Sequence, residues 1–192
     1  LACADTPDHP QNRAQHSTFA NIRAALPAER YSLAATGGTL MGSDYHHDMT
    51  RPGIGLYGGL PFAAARPAVT LSLPVIQTRE IAPGESVGYG ASWTAQRPSR
   101  IVTVSSGYAD GLIRATGDGI VHLYAGDTPC PLVGRVSMDL LTVDVTDLPQ
   151  VPYTLDILNT HQTVAPLAEA AGTTGYELPP SPANRYAPPV LP

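Results

Sequence analysis

The sequence predicts an α/β barrel remnant followed by an all-β C-terminal domain. Up to about residue 67, helix-period and strand-like stretches alternate, as in the closing units of an α/β barrel. From about Ala68 onward, short β-branched runs are separated by turn dipeptides, the signature of an all-β domain. Size agrees with this division. The chain has 192 residues, 43% apolar and only 14% charged, with 18 Gly and 20 Pro. That is one large domain or two modest ones, rich in turns and long enough for a buried core.

The first element is a helix capped by Asp8 or Asn12 and running to about Leu26, with Phe19, Ile22 and Leu26 on one apolar face. Pro27 ends it. Residues 32–36 form a short strand closed by Gly37-Gly38, and residues 51–59 are a strand end entering a glycine-rich loop. In the second part, strands are expected at residues 69–79, 100–105, 119–124, 141–145 and 153–158. Leu141, Val143 and Val145 alternate with Thr142 and Asp144, the strand period. Pro83-Gly84, Asp118-Gly119 and Gly126-Asp127 supply turns. A last helix is capped by Thr163, carries Pro166 in its first turn and closes at Gly172. The proline-rich tail after Glu177 reads as extended and mobile.

Composition excludes several classes. A net charge of -5 disfavours non-specific nucleic-acid binding. No apolar run reaches the roughly 20 residues of a membrane helix, so no membrane role is expected. Two cysteines cannot form a disulfide scaffold, and a reducing cytoplasm is the expected location. All 11 basic residues are Arg. With no Lys, the chain has no side-chain amine for a Schiff base. It starts at Leu1 without a signal peptide and reads as a piece of something longer, or a processed product.

Several stretches can carry chemistry. Arg51-Pro52-Gly53-Ile54 exposes successive backbone N–H groups that can cradle a phosphate, with Arg51 beside the ligand; the plainer reading is a turn closing a strand. Thr36-Gly37-Gly38 can add a hydroxyl to the same phosphate, or be a simple turn. Tyr108, in Ser106-Gly107-Tyr108-Ala109-Asp110-Gly111, can exchange protons if positive charge lowers its pKa from about 10; otherwise it packs with its tip in water. Gly134 to Asp139 is a polar interruption whose backbone could hold a carboxylate, or a bulged edge with an Arg–Asp pair. Asp44-Tyr45-His46-His47-Asp48 invites a metal, but adjacent side chains diverge, so none is expected. Cys130, between two prolines, reads as a buried or edge thiol.

In order and approximate spacing, Leu1-Ala2-Cys3-Ala4-Asp5, Arg51 to Gly58, Gly88-Tyr89-Gly90, Gly107 to Gly111, Gly134 to Asp139, residues 143–147 and Gly175-Tyr176-Glu177 resemble the alanine racemase family. The resemblance implies that residues 1–67 are the C-terminal part of a barrel binding pyridoxal 5'-phosphate, and that residues 68–192 are the β domain. It implies racemisation of L- and D-alanine, a step toward D-alanine for peptidoglycan precursors, in a homodimer whose subunits share active sites. It assigns Arg51 to the pyridine nitrogen, Thr36, Gly53, Ile54 and Tyr176 to the cofactor phosphate, Tyr108 to proton exchange, and the Met138 backbone N–H to the substrate carboxylate. The family's cofactor-bearing lysine lies in earlier barrel units, so this chain alone is expected to be inactive and residues 1–67 alone to be poorly ordered. The family usually ends in a helix with Arg and Tyr, where this chain has its proline-rich tail. The alternatives are a racemase of broader amino-acid range, a barrel-type decarboxylase, or a non-catalytic dimerisation or binding module.

Overall fold

A computed structural model describes residues 1–178. The proline-rich stretch from Pro179 lies outside the described residues. The chain divides into two compact units, Leu1–Ala68 and Val69–Pro192.

The first unit opens with α1, Pro10–Ala25. Its cap is His9, in place of the expected Asp8 or Asn12: the His9 Nδ1 accepts the Gln11 N–H at 3.2 Å. Pro10 explains the choice. Proline fixes the first helical φ and keeps the residue before it extended. Asn12 is instead fully buried. Its Nδ2 donates to the carbonyls of Cys3 and Thr6 at 3.0 Å and of Pro7 at 3.2 Å. One helical turn on, Gln15 Oε1 accepts the Ala2 N–H at 2.8 Å. The expected apolar face is not buried, since Ile22 is 45% and Leu26 61% exposed. Within this unit α1 is held by amide side chains gripping the segment before it and by its His16 and Phe19 rings packing on His47.

The expected strand at 32–36 is only a bridge. Ala35 pairs in parallel with Arg51, and the Arg51 N–H donates to the Ala34 carbonyl at 2.8 Å. Thr36 then opens the short helix α2, Thr36–Leu40. Thr39 stabilises the change of direction, donating both its backbone N–H and its hydroxyl to the Ala35 carbonyl.

The second unit is a curled antiparallel sheet. Its strands are β1 (Leu71–Ile81), β4 (Ser99–Ser105), β5 (His122–Ala125), β6 (Thr128–Pro131), β7 (Leu140–Asp144) and β8 (Thr154–Leu158). They run in the order β6-β5-β8-β1-β4-β7. A bridge between Leu132 and Val143 brings the two ends of that order together, and the Val133 N–H donates to the Thr142 carbonyl at 2.9 Å. Curling lets one sheet enclose its own core of Leu73, Val102, Val104, Leu123, Leu141, Val143, Leu155 and Ile157. Each such side chain contributes roughly 1.5–3 kcal/mol by leaving water. A separate ribbon of β2 (Ser86–Val87) and β3 (Trp93–Thr94) packs Val87 and Trp93 on Ile81, Ala95, Ile101 and Val133. α3, Val164–Ala170, starts after Thr163 as read from the sequence, though the Thr163 side chain makes no capping bond, and Gly172 at φ 70° lies just beyond it.

β6 escaped the sequence reading because Pro129 and Pro131 lie within it. It stands at the end of the strand order, where a missing N–H costs no ladder bond. Cys130 sits there with 2% exposure, and burial pushes its thiol above the ordinary range. Since only the thiolate alkylates readily, iodoacetamide at pH 8 is expected to label the half-buried Cys3 well before Cys130. Equal labelling rates in the folded chain would contradict this.

Candidate active site

In the first unit, the structure brings Thr36, Arg51, Gly53 and Ile54 together. The Ala35–Arg51 bridge sets Thr36, the first residue of α2, beside the turn that follows Arg51. The buried Thr36 hydroxyl oxygen accepts the N–H of Gly53 at 3.1 Å and of Gly55 at 3.3 Å. With its oxygen so engaged, the hydroxyl proton is left to donate. Gly53 has no heavy atom within 4 Å of where a Cβ would stand, so open space lies over the turn. Arg51 is exposed and donates through Nη1 to Ser32 Oγ. A hydroxyl donor, a glycine turn under open space and a guanidinium suit a phosphate monoester on a ring, so these residues fit pyridoxal phosphate. One detail differs from expectation: the Gly53 N–H is already directed at Thr36.

The second unit contains an open cavity of about 700 Å³ lined by Tyr89, Tyr108, Arg114, Val136, Ser137, Met138 and Asp139. Two sequence motifs meet in it. The Tyr108 N–H donates to the Ser137 carbonyl at 3.0 Å, and the Ala109 N–H to the Met138 carbonyl at 2.9 Å. Asp110, itself buried, accepts the Gly107 N–H at 2.9 Å and tightens the turn. Gly107 is required, because a Cβ there would overlap the Met138 carbonyl. Two backbone bonds thus join the tyrosine loop to the loop expected to hold a carboxylate. Among the described residues no acceptor takes the Met138 N–H.

Two lining residues had been given no role by the sequence. Tyr89 is 70% exposed, against 44% for Tyr108. It sits between Gly88 at φ 80° and Gly90 at φ 73°, followed by Ala91 at φ 48°. A non-glycine residue held left-handed is a strained backbone, and such strain clusters where a side chain must be presented. The Gly-Tyr-Gly spacing was the available signal. Arg114, on the turn Arg114–Thr116, adds a positive charge to the cavity. Tyr176, 48% exposed after α3, does not line this cavity.

The histidine stretch disperses. His46 Nε2 is 2.8 Å from the Thr39 carbonyl oxygen, whereas the His47 ring packs on His16 and Phe19. Among the described residues no group of three His, Cys, Asp or Glu could hold a metal. None of their helices is long and apolar enough to cross a membrane.

A glycine turn under open space in one unit and a phenol-lined cavity on a curled antiparallel sheet in the other are the features of a small-molecule enzyme. Comparison with known proteins identifies its family. Residues 1–61 match the family model "Alanine racemase, N-terminal domain", and residues 68–188 match "Alanine racemase, C-terminal domain". The chain belongs to the alanine racemase family. It is 64% identical over 186 residues to an alanine racemase of Jannaschia sp. (strain CCS1), covering 97% of this chain and 54% of that protein. Among solved structures it is similar to the biosynthetic alanine racemase of Pseudomonas aeruginosa (41% identity, TM-score 0.83, 96% of this chain and 54% of that one). It is also similar to the alanine racemase of Bartonella henselae with covalently bound pyridoxal phosphate (34% identity, TM-score 0.84, 97% and 54%). The chain spans about half the length of the curated relatives it matches.

Proposed function

We propose that the protein interconverts L- and D-alanine with pyridoxal phosphate. On this reading residues 1–67 are the closing part of a cofactor-binding α/β barrel, and residues 68–192 the β domain that completes the active site of a second subunit in a homodimer. The bound cofactor would supply the electron sink that makes the substrate α-proton acidic. The Thr36 hydroxyl, the Ile54 backbone N–H and Tyr176 hold its phosphate, while Gly53, whose own N–H is turned to Thr36, keeps the turn open above it. Arg51, always charged, faces the ring nitrogen and keeps it unprotonated. The Met138 N–H holds the substrate carboxylate, and a cavity phenol moves the α-proton on one face. The lysine serving the other face comes from outside this chain, which has none.

The observation that carries this reading is the pair of backbone bonds from Tyr108 and Ala109 to Ser137 and Met138. They fix a phenol-bearing loop against a carboxylate-binding N–H, which is the positioning a proton transfer at Cα needs. The sequence assigns the phenol to Tyr108. A second reading, carried by the strained Gly88–Ala91 turn, assigns it to Tyr89, the more exposed of the two. Both keep the same cavity and substrate.

The test is racemisation by the full-length protein. With pyridoxal phosphate it is expected to convert L-alanine to D-alanine, faster than it racemises serine, lysine or arginine. The 192-residue chain alone is expected to show no turnover. Loss of alanine turnover in the full-length protein would overturn the proposal, and so would turnover by the purified chain.

A further inference from the structure

We infer that Asn12 is a positioning residue for cofactor phosphate, acting through the segment that floors the Thr36–Gly38 turn. The inference rests on the phosphate reading above and adds a residue to it. Asn12 touches none of Thr36, Arg51 or Gly53 through its bonds. Its single amide nitrogen donates to three carbonyls, those of Cys3, Thr6 and Pro7. The Thr6 N–H returns to the Cys3 carbonyl and the His9 N–H to the Thr6 carbonyl, each at 3.0 Å, so the amide fills the centre of a closed turn.

That turn carries Ala4 directly beneath α2. A Cβ on Gly37 would stand 2.9 Å from both the Ala4 Cβ and the Ala4 carbonyl oxygen. One on Gly38 would stand 2.9 Å from the Leu1 side chain. The first residues of the chain therefore leave no room for a side chain on the turn whose leading hydroxyl, on Thr36, accepts the Gly53 and Gly55 N–H groups. Gln15 takes the Ala2 N–H and holds the other end of the same segment.

The chemistry of Asn12 suits this role over simple packing. Its Oδ1 is buried with no hydrogen-bond partner among the described residues. A leucine of similar volume would leave no such orphan, yet it would strip the Pro7 carbonyl of its donor and remove the second donor from the Cys3 and Thr6 carbonyls. The donor nitrogen is thus the part the site uses. A binding constellation must be held within about 0.5 Å of its productive geometry by the residues that support it.

The test compares affinity for pyridoxal 5'-phosphate with affinity for pyridoxal, which has the ring but no phosphate, on the full-length apoprotein. In N12D the shape is kept and the donor is lost. Its Kd for pyridoxal phosphate is expected to rise about tenfold more than its Kd for pyridoxal, the equivalent of about one lost hydrogen bond to the phosphate. G37A, which strikes the same floor from above, is expected to do likewise. T36A is the control for the phosphate reading itself. If T36A lowers the preference for the phosphorylated ligand and N12D does not, Asn12 has no positioning role. If T36A also leaves the preference unchanged, the phosphate reading fails and the inference with it. Should N12D not fold, N12A, which loses the same donor without burying a charge, decides alone: an unchanged ratio overturns the proposal. A general loss of stability weakens both ligands equally and leaves the ratio where it was.

Discussion

Replacing Tyr89 and Tyr108 singly with phenylalanine in the full-length protein is expected to give two different enzymes. In one variant racemisation falls by about 10²–10⁴, the usual contribution of a positioned acid–base group. In the other it falls by about tenfold or less, the cost of a lost cavity hydrogen bond. The severe variant fails in both directions, because each direction needs a proton removed from one face and returned to the other. Its signature is asymmetric exchange. In deuterium oxide, the antipode whose proton is taken by the lysine still exchanges its α-hydrogen, while the other does not. If the severe variant is Y108F, the proton carrier is the loop bonded to Ser137 and Met138. If it is Y89F, the strained turn from Gly88 to Ala91 is what presents it. Equal small losses in both variants would remove the cavity from the chemistry altogether.

The second unit was legible because its rules are local. Leu141, Val143 and Val145 alternate with polar residues, and all three are buried. α3 has its proline in the first turn and its glycine just past the end as read, although the Thr163 side chain at its N-cap makes no capping bond. The prolines of β6 hid a strand, since only its place in the sheet order tells that an N–H is dispensable there. The first unit was less legible. Phe19, Ile22 and Leu26 spell an apolar helix face by period, yet Ile22 and Leu26 stand in solvent and the side chain that is buried is Asn12. A periodicity argument ranks side chains by polarity, so it cannot find an asparagine whose value lies in three backbone carbonyls from earlier in the chain. The site divided in the same way. Thr36 and the Arg51–Ile54 turn were readable as residue types suited to a phosphate. That the Thr36 hydroxyl would capture the Gly53 N–H depends on a parallel bridge between distant residues, Ala35 and Arg51. Tyr89 was visible as a Gly-Tyr-Gly motif, but the strain next to it, at Ala91, appears only in torsion angles.

Substituting Gly107 by alanine is expected to damage the cavity more than removing any single side chain from its rim. A methyl at this position collides with the carbonyls of Ser137 and Met138 and with the carbonyl carbon of Met138. All three are backbone atoms, so no rotamer change relieves the overlap. The alternatives are to move the 107–111 turn or to move the 137–139 segment. Either motion breaks the Tyr108–Ser137 and Ala109–Met138 bonds together. Overpacking of this kind costs about 1–3 kcal/mol, and two lost backbone bonds add about 1 kcal/mol each. The midpoint of urea unfolding of the β domain should therefore drop clearly. Substrate handling should fall further than stability does, because the phenol and the Met138 N–H separate in the same motion. The expected reading in the full-length protein is a loss of kcat/KM of at least about 10²-fold at temperatures where the variant is still folded. A variant with ordinary kcat/KM and a lowered unfolding midpoint would mean that the two loops are a structural joint only, and that proton transfer and carboxylate binding are placed by other parts of the protein.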